Sequence, residues 1–289
     1  MRKPDEVLKE IINWAEKNQD VRAAILTGSR ADPNAIADLF SDYDIEIVVN
    51  NLSNFLDDEK WLSAFGEPLI IIHTNDDFTL RMVIYKDYVR IDFRIYSIED
   101  FKQSNVQIEL PKHLDNGYEV LLDKDKITLH LKSPAYNSFV ITKPSKEEFS
   151  AIVTDFWWDT TYVAKSLWRN ELFYAKYMLD SIIRFSYLQK IIEWYIGAQH
   201  DWQITTDKNG RFFKKYLDVE TWRELEKTFA GSETEENWNA LFATSNLFRR
   251  LAMTIAKATD YLYPHKIDTE IIDYLNKIKT LGKSATDIN

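Results

Sequence analysis

Apolar residues recur along this chain at two different periods, and the period changes once. Near the start, Val7, Leu8, Ile11, Ile12 and Ala15 repeat at helical spacing and predict a helix over residues 4–18. Short apolar runs follow, predicting strands over 21–26, 45–49, 69–72 and 80–85, with a helix over 54–65 between them. Residues 88–96 alternate strongly. Val89, Ile91, Phe93 and Ile95 point one way and Arg90, Asp92 and Arg94 the other, the pattern of a strand buried on one side. This half therefore reads as mixed α/β.

Beyond Lys143, Pro144 and Ser145 the pattern turns helical. Ser145 followed by Glu148 is a capping-box pair that opens a helix. Helical periodicity then covers 147–168, 171–196, 216–229, 237–263 and 268–281, with no strand pattern among them. The expected architecture is α+β in two domains: a mixed-sheet domain over 1–143 and an all-α domain over 144–289. A length of 289 residues suits two domains.

Composition narrows the classes. With 45% hydrophobic and 28% charged residues the chain has an ordinary globular balance. No apolar stretch approaches the roughly 18–20 residues that span a bilayer. No apolar segment follows the basic start, so no signal peptide is expected. The absence of cysteine excludes disulfides, thiolate metal sites and a thiol nucleophile, and suits a cytoplasmic location. A net charge of −10 weighs against a nucleic-acid partner. It leans mildly towards a cationic small molecule, although acidity that only maintains solubility is the plainer reading. No membrane partner is expected, and a monomer is favoured.

The chemistry sits in three short motifs. Gly28, Ser29 and Arg30 follow an apolar strand. Asp42, Tyr43 and Asp44 lead directly into the next one, and Asp92 lies within the alternating strand. Asp42 and Asp44, two apart, project to the same face. Carboxylates held close together repel unless a cation lies between them. Magnesium takes one or two carboxylates plus substrate phosphates, so these acids suit it, with Asp92 completing the patch. Gly28 permits a tight turn, in which Ser29 and nearby backbone N–H groups can hold phosphate oxygens. Arg30 adds a charge-assisted contact. Taken singly, each motif has a plain alternative: turn acids, a common dipeptide, the solvated face of a strand. Their order along the chain carries the functional reading.

That order resembles the nucleotidyltransferase superfamily, whose fold is like the palm of DNA polymerase beta. More narrowly, the chain resembles the aminoglycoside 6-adenylyltransferases, also called streptomycin adenylyltransferases. The supporting segments are Leu26 to Arg30, Ser41 to Ile45, Trp61 to Gly66, Arg90 to Phe93, Val120 to Asp125, Phe156 and Trp157, Tyr162 to Glu171, and Phe212 to Leu217. The resemblance implies ATP and magnesium, and AMP transfer to a hydroxyl on the streptidine ring of streptomycin. It implies that Asp42 and Asp44 bind metal and that Asp92 is a metal ligand, the general base, or both. Gly28, Ser29 and Arg30 match its nucleotide-phosphate loop. Lys165, which shares a helix face with Arg169, is expected on the triphosphate; a solvated basic stripe is the alternative. Asp155, Asp159 and Tyr162 are candidates for the acceptor. The histidines His73, His113, His130, His200 and His265 show no metal-ligand spacing and read as structural or exposed. The competing readings are transfer to another small molecule or to a protein hydroxyl, and a non-catalytic nucleotide-binding relative.

Overall fold

The first of two compact units, Met1–Ser138, is organised by the alternation of its strands; the second is Phe139–Asn289. The computed structural model describes residues 1–74, 79–105 and 110–287. Helix α1 (Pro4–Lys17) starts at a proline with Asp5 and Glu6 in its first turn, both favourable there, and buries Val7, Ile11 and Ala15. Strands β1 (Val21–Thr27) and β2 (Tyr43–Val49) follow.

The single helix expected over 54–65 is instead a turn, α2 (Ser53–Leu56), and a 3-10 segment over Glu59–Phe65. The Asp58 carboxylate accepts from the Lys60 N–H and restarts the chain at that point. The new segment is held by aromatic packing, with Trp61 4.9 Å from Phe93 and 5.4 Å from Trp14 between ring centres.

Strands β3 (Pro68–Thr74), β4 (Thr79–Tyr85) and β5 (Arg90–Ser97) come next, then α3 (Ile98–Asn105), α4 (Lys112–Asp115) and β6 (Glu119–Asp123). No strand was expected over 119–123, where three apolar residues stand between charges; pairing with β1 makes it one. The six strands form one sheet in the order β3-β4-β5-β2-β1-β6. Among the described residues only β2 and β5 pair in parallel. One face, with Tyr43, Ile45, Ile47, Ile91, Phe93 and Ile95, packs with α1 into a core. The other carries Ala23, Ile25, Val48 and Tyr96 with Phe101 and Ile127, and towards the starts of β2 and β5 it carries charges.

The second unit is helical: α5 (Lys146–Arg169), α6 (Leu172–Lys176), α7 (Gln189–Gln199), α8 (Phe213–Tyr216), α9 (Val219–Glu226), α10 (Thr234–Thr259) and α11 (His265–Thr280). The capping box closes as the sequence suggests. Ser145 Oγ accepts from Glu148 N, and Ser145 N donates to Glu148 Oε2. Asn170, in the left-handed region at φ 62°, ends α5. The stretch 171–196, expected as one helix, passes through a π-helical segment, Tyr177–Leu188, between α6 and α7. The unit begins at Phe139, ahead of the boundary placed at 143/144. Val140 bridges to Thr205, and Ile141 joins the helical core. The chain is thus α+β, a mixed sheet followed by an all-helical unit. No helix among the described residues is long and apolar enough to cross a membrane.

Candidate active site

Sheet register decides which acids meet. Asp44 lies directly opposite Asp92 across the parallel β2–β5 pair, and opposite Thr27 of β1 on its other side. Asp42 is the residue that leads into β2. After Thr27 the chain turns at Gly28, at φ +69°, and continues through one 3-10 turn, Gly28–Arg30. Ala31 N and Asp32 N both donate to Gly28 O at 3.1 Å. A Cβ at Gly28 would overlap the Asp44 carboxylate, so only glycine lets this loop press against the acid. The structure therefore gathers Gly28, Ser29, Asp42, Asp44 and Asp92 at one end of the sheet.

A cation already lies among these acids. Arg90 donates to both oxygens of Asp92, from Nε at 2.9 Å and from Nη2 at 2.6 Å. Its Nη1 is 3.3 Å from Asp42 Oδ2. The Asp92 hydrogen bonds raise the Arg90 pKa, opposed by burial and reinforced by the charges of Asp92, Asp42 and Asp44. Burial pushes the Asp42 carboxyl above its ordinary range; Arg90 pulls it down, Asp92 pushes it up and Arg30 pulls it down. Among the described residues no three His, Cys, Asp or Glu side chains stand grouped to hold a metal ion.

Arg30, expected on the phosphates, holds the backbone of its own loop in the structure. Its Nε donates to Asp42 O at 3.1 Å, and its Nη2 to Ser41 O at 2.7 Å and to Asp38 O at 3.3 Å. The guanidinium also lies 4.0 Å from the Tyr43 ring centre. Arg30 thus anchors the loop that delivers Asp42. A cavity of about 200 Å³ opens beside Asp42 and Arg90, with Phe40, Ile84 and Tyr88 in its wall.

Lys165 belongs to the helical unit, where its ammonium lies 4.3 Å from the Tyr162 ring centre. In the same unit Asp159 accepts from Tyr187 at 2.8 Å. Burial and this carboxylate raise the Tyr187 pKa. Two contributors were missed in the sequence. Arg90 read as a solvated strand residue, yet it pairs with the acid two positions on. Glu46 continues the row Asp42, Asp44 on one face of β2, a period-2 signal that was available.

A glycine turn presses against one of three carboxylates, two of them aligned across parallel strands, the arrangement expected of a nucleotidyltransferase. The chain belongs to the streptomycin adenylyltransferase family, whose profile matches residues 1–278. Among relatives, an aminoglycoside 6-adenylyltransferase of Campylobacter jejuni is 30% identical over 288 residues, 96% of each chain. That of Bacillus subtilis (strain 168) is 29% identical over 276 residues, 91% of this chain and 94% of the relative. That of Staphylococcus aureus is 28% identical over 274 residues, 92% of this chain and 95% of the relative. A crystal structure of an aminoglycoside 6-adenyltransferase from Bacillus subtilis is similar with a TM-score of 0.48 and 24% identity, covering 97% of this chain and 100% of that one.

Proposed function

We propose that this protein transfers AMP from ATP to a hydroxyl of an aminoglycoside, with streptomycin as acceptor at the 6-position of its streptidine ring. The observation that carries the reading is the alignment of Asp44 with Asp92 across β2 and β5, flanked by Asp42 and by the Gly28 turn. Family membership and the names of the relatives support it.

The acids fit magnesium in the chemistry of their donors. All three offer hard carboxylate oxygens, and their combined field already draws a guanidinium among them. Asp42, Asp44 and Asp92 would hold the magnesium, which would supply charge neutralisation at the phosphoryl oxygens and a lower pKa for the attacking hydroxyl.

The chain's own part is positioning and electrostatics. The acceptor oxygen attacks the α-phosphorus of ATP. The new oxygen–phosphorus bond forms as the bond to the bridging oxygen of pyrophosphate breaks, and pyrophosphate leaves. Asp92 takes the hydroxyl proton. Gly28 and Ser29 hold the departing phosphates, while Arg30 keeps the Asp42 loop in place. Lys165 is assigned to the triphosphate on the resemblance alone. The Gly28 turn follows β1, which neighbours β2 in the sheet, and the cavity walled by Phe40, Ile84 and Tyr88 also touches Arg30 at the end of that turn. We place the reaction in the cytoplasm, where ATP is supplied.

Incubating the protein with streptomycin, ATP and magnesium tests this directly by the mass of the drug. A gain of one AMP, lost in Asp42→Asn, is the expected result. Undiminished turnover in Asp42→Asn removes the assignment of the acids. Adenylylation of a different aminoglycoside only would correct the acceptor.

A further inference from the structure

The charged face of the sheet holds a fourth carboxylate. Glu46 stands two residues beyond Asp44 on β2 and so shares its face. Its side chain is 2% exposed. Its partner across β5, Arg94, is 4.0 Å away, and His113 Nε2 is 2.8 Å from its Oε1. The contact is a close approach without hydrogen-bond geometry: among the described residues neither Glu46 Oε2 nor His113 Nε2 has a hydrogen-bond partner. A buried carboxylate so incompletely paired is costly, and an apolar residue would pack this position more cheaply. Val48, next in the same row, is such a residue.

His113 lies on α4, and among the contacts of the segment 111–117 around it are three that bear on the site. His113 meets Glu46. Asp115 accepts from Ala135 N at 2.7 Å, Asn137 N at 3.0 Å and Ser138 Oγ at 2.8 Å. Gly117, at φ +124°, lies so close to the Ala31 carbonyl and to Asp32 Cα that a Cβ would overlap the carbonyl oxygen. Ala31 and Asp32 are the two residues whose N–H groups close the Gly28 turn. The segment therefore connects the floor behind Asp44 with the back of the phosphate loop.

We infer that the Glu46–His113 pair is a latch holding residues 111–117 against the Gly28–Asp32 loop, and that it thereby sets the affinity for the nucleotide. Glu46 and His113 are positioning residues acting through the loop. The inference rests on the nucleotide reading above. A contact that served folding alone would change the melting temperature and leave nucleotide affinity untouched well below it.

The test is calorimetric titration of a non-hydrolysable ATP analogue with magnesium, well below the unfolding midpoint. Wild type, Glu46→Gln, His113→Gln and the double variant are compared, with melting temperatures measured in parallel. Each single variant is expected to weaken binding about tenfold, and the double variant no more than either single. His113→Lys, which places a permanent cation beside Glu46, is expected to recover most of the affinity. Gly117→Ala, which leaves the pair intact but pushes the segment off the loop, is expected to weaken binding as well. Lowered melting temperatures with unchanged affinity overturn the latch, as do two single effects that simply add. Wild type that binds no nucleotide overturns the functional reading instead, and the latch with it.

Discussion

Asp268 in the helical unit and Glu46 in the sheet unit are almost equally buried, at 4% and 2% exposure, but their surroundings differ. Asp268 accepts from Arg249 through Nε at 2.6 Å and through Nη2 at 2.5 Å, and from the Tyr263 hydroxyl at 2.9 Å. Tyr263 in turn accepts from Trp157 Nε1 at 3.2 Å. Burial, with Asp268 beside it, raises the Tyr263 pKa well above its ordinary value, so it remains a donor. That network is closed. On the sheet, Glu46 keeps an unpartnered oxygen, Asp42 is raised by burial, and Gly28 is crowded against Asp44. Saturated buried networks rigidify a fold. Charges left only partly compensated are kept where a ligand completes them. The comparison assigns stability to the first unit named and chemistry to the second.

The contrast is sharpest for Arg249→Met. It strands Asp268 in the helical core and is expected to cost roughly 3 kcal/mol, read by urea denaturation. Adenylyl transfer per folded molecule should persist. A negligible loss of stability would break the comparison from the helical side.

Gly28→Ala attacks it from the other side. The added Cβ displaces the turn or the Asp44 carboxylate, and kcat/KM is expected to fall about 10²-fold, with less change in stability than Arg249→Met. An unchanged rate would show that the loop gives way without disturbing the acids.

The smallest effect comes from acid. Among the described residues, carboxylates held below their ordinary pKa are Asp58, Asp87, Asp115, Asp123 and Asp125 in the sheet unit. In the helical unit Asp218 is the one such group. For Asp115 and Asp123 burial pushes upwards, and hydrogen bonds from 135–138 and from Ile127 and Thr128 outweigh it. A folded pKa below the unfolded value, about 3.9 for aspartate, adds stability above that pH and loses it as pH falls through the folded value. Below about pH 4 the sheet unit should therefore open first, as read by hydrogen exchange along the chain. Earlier exchange in α5 and α10 would reverse the expectation.

Much of this was legible because it is local. The two periods, the Ser145 cap, the row from Asp42 to Asp44 and the Gly28 turn all depend on residues a few positions apart. Asp92 was legible too, since its apolar neighbours Ile91 and Phe93 give its face. The partners were not. Arg30 reads as a phosphate contact in sequence, and only the folded loop shows its Nε and Nη2 donating to the carbonyls of residues 38, 41 and 42. His113 carries no spacing signal, because its partner lies on a strand far earlier in the chain. The break at Asp58 was readable as a capping residue, but the periodicity of its neighbours masked it.

The sequence by itself determined a mixed sheet followed by helices, and three acids able to face one way, because side-chain direction follows from backbone period alone. The tertiary structure decided that β2 pairs in parallel with β5, setting Asp44 beside Asp92, and that Arg90, Arg30 and His113 take the partners they do. Strand pairing and side-chain partners join residues distant in the chain, and no local pattern specifies which of several compatible neighbours will be chosen.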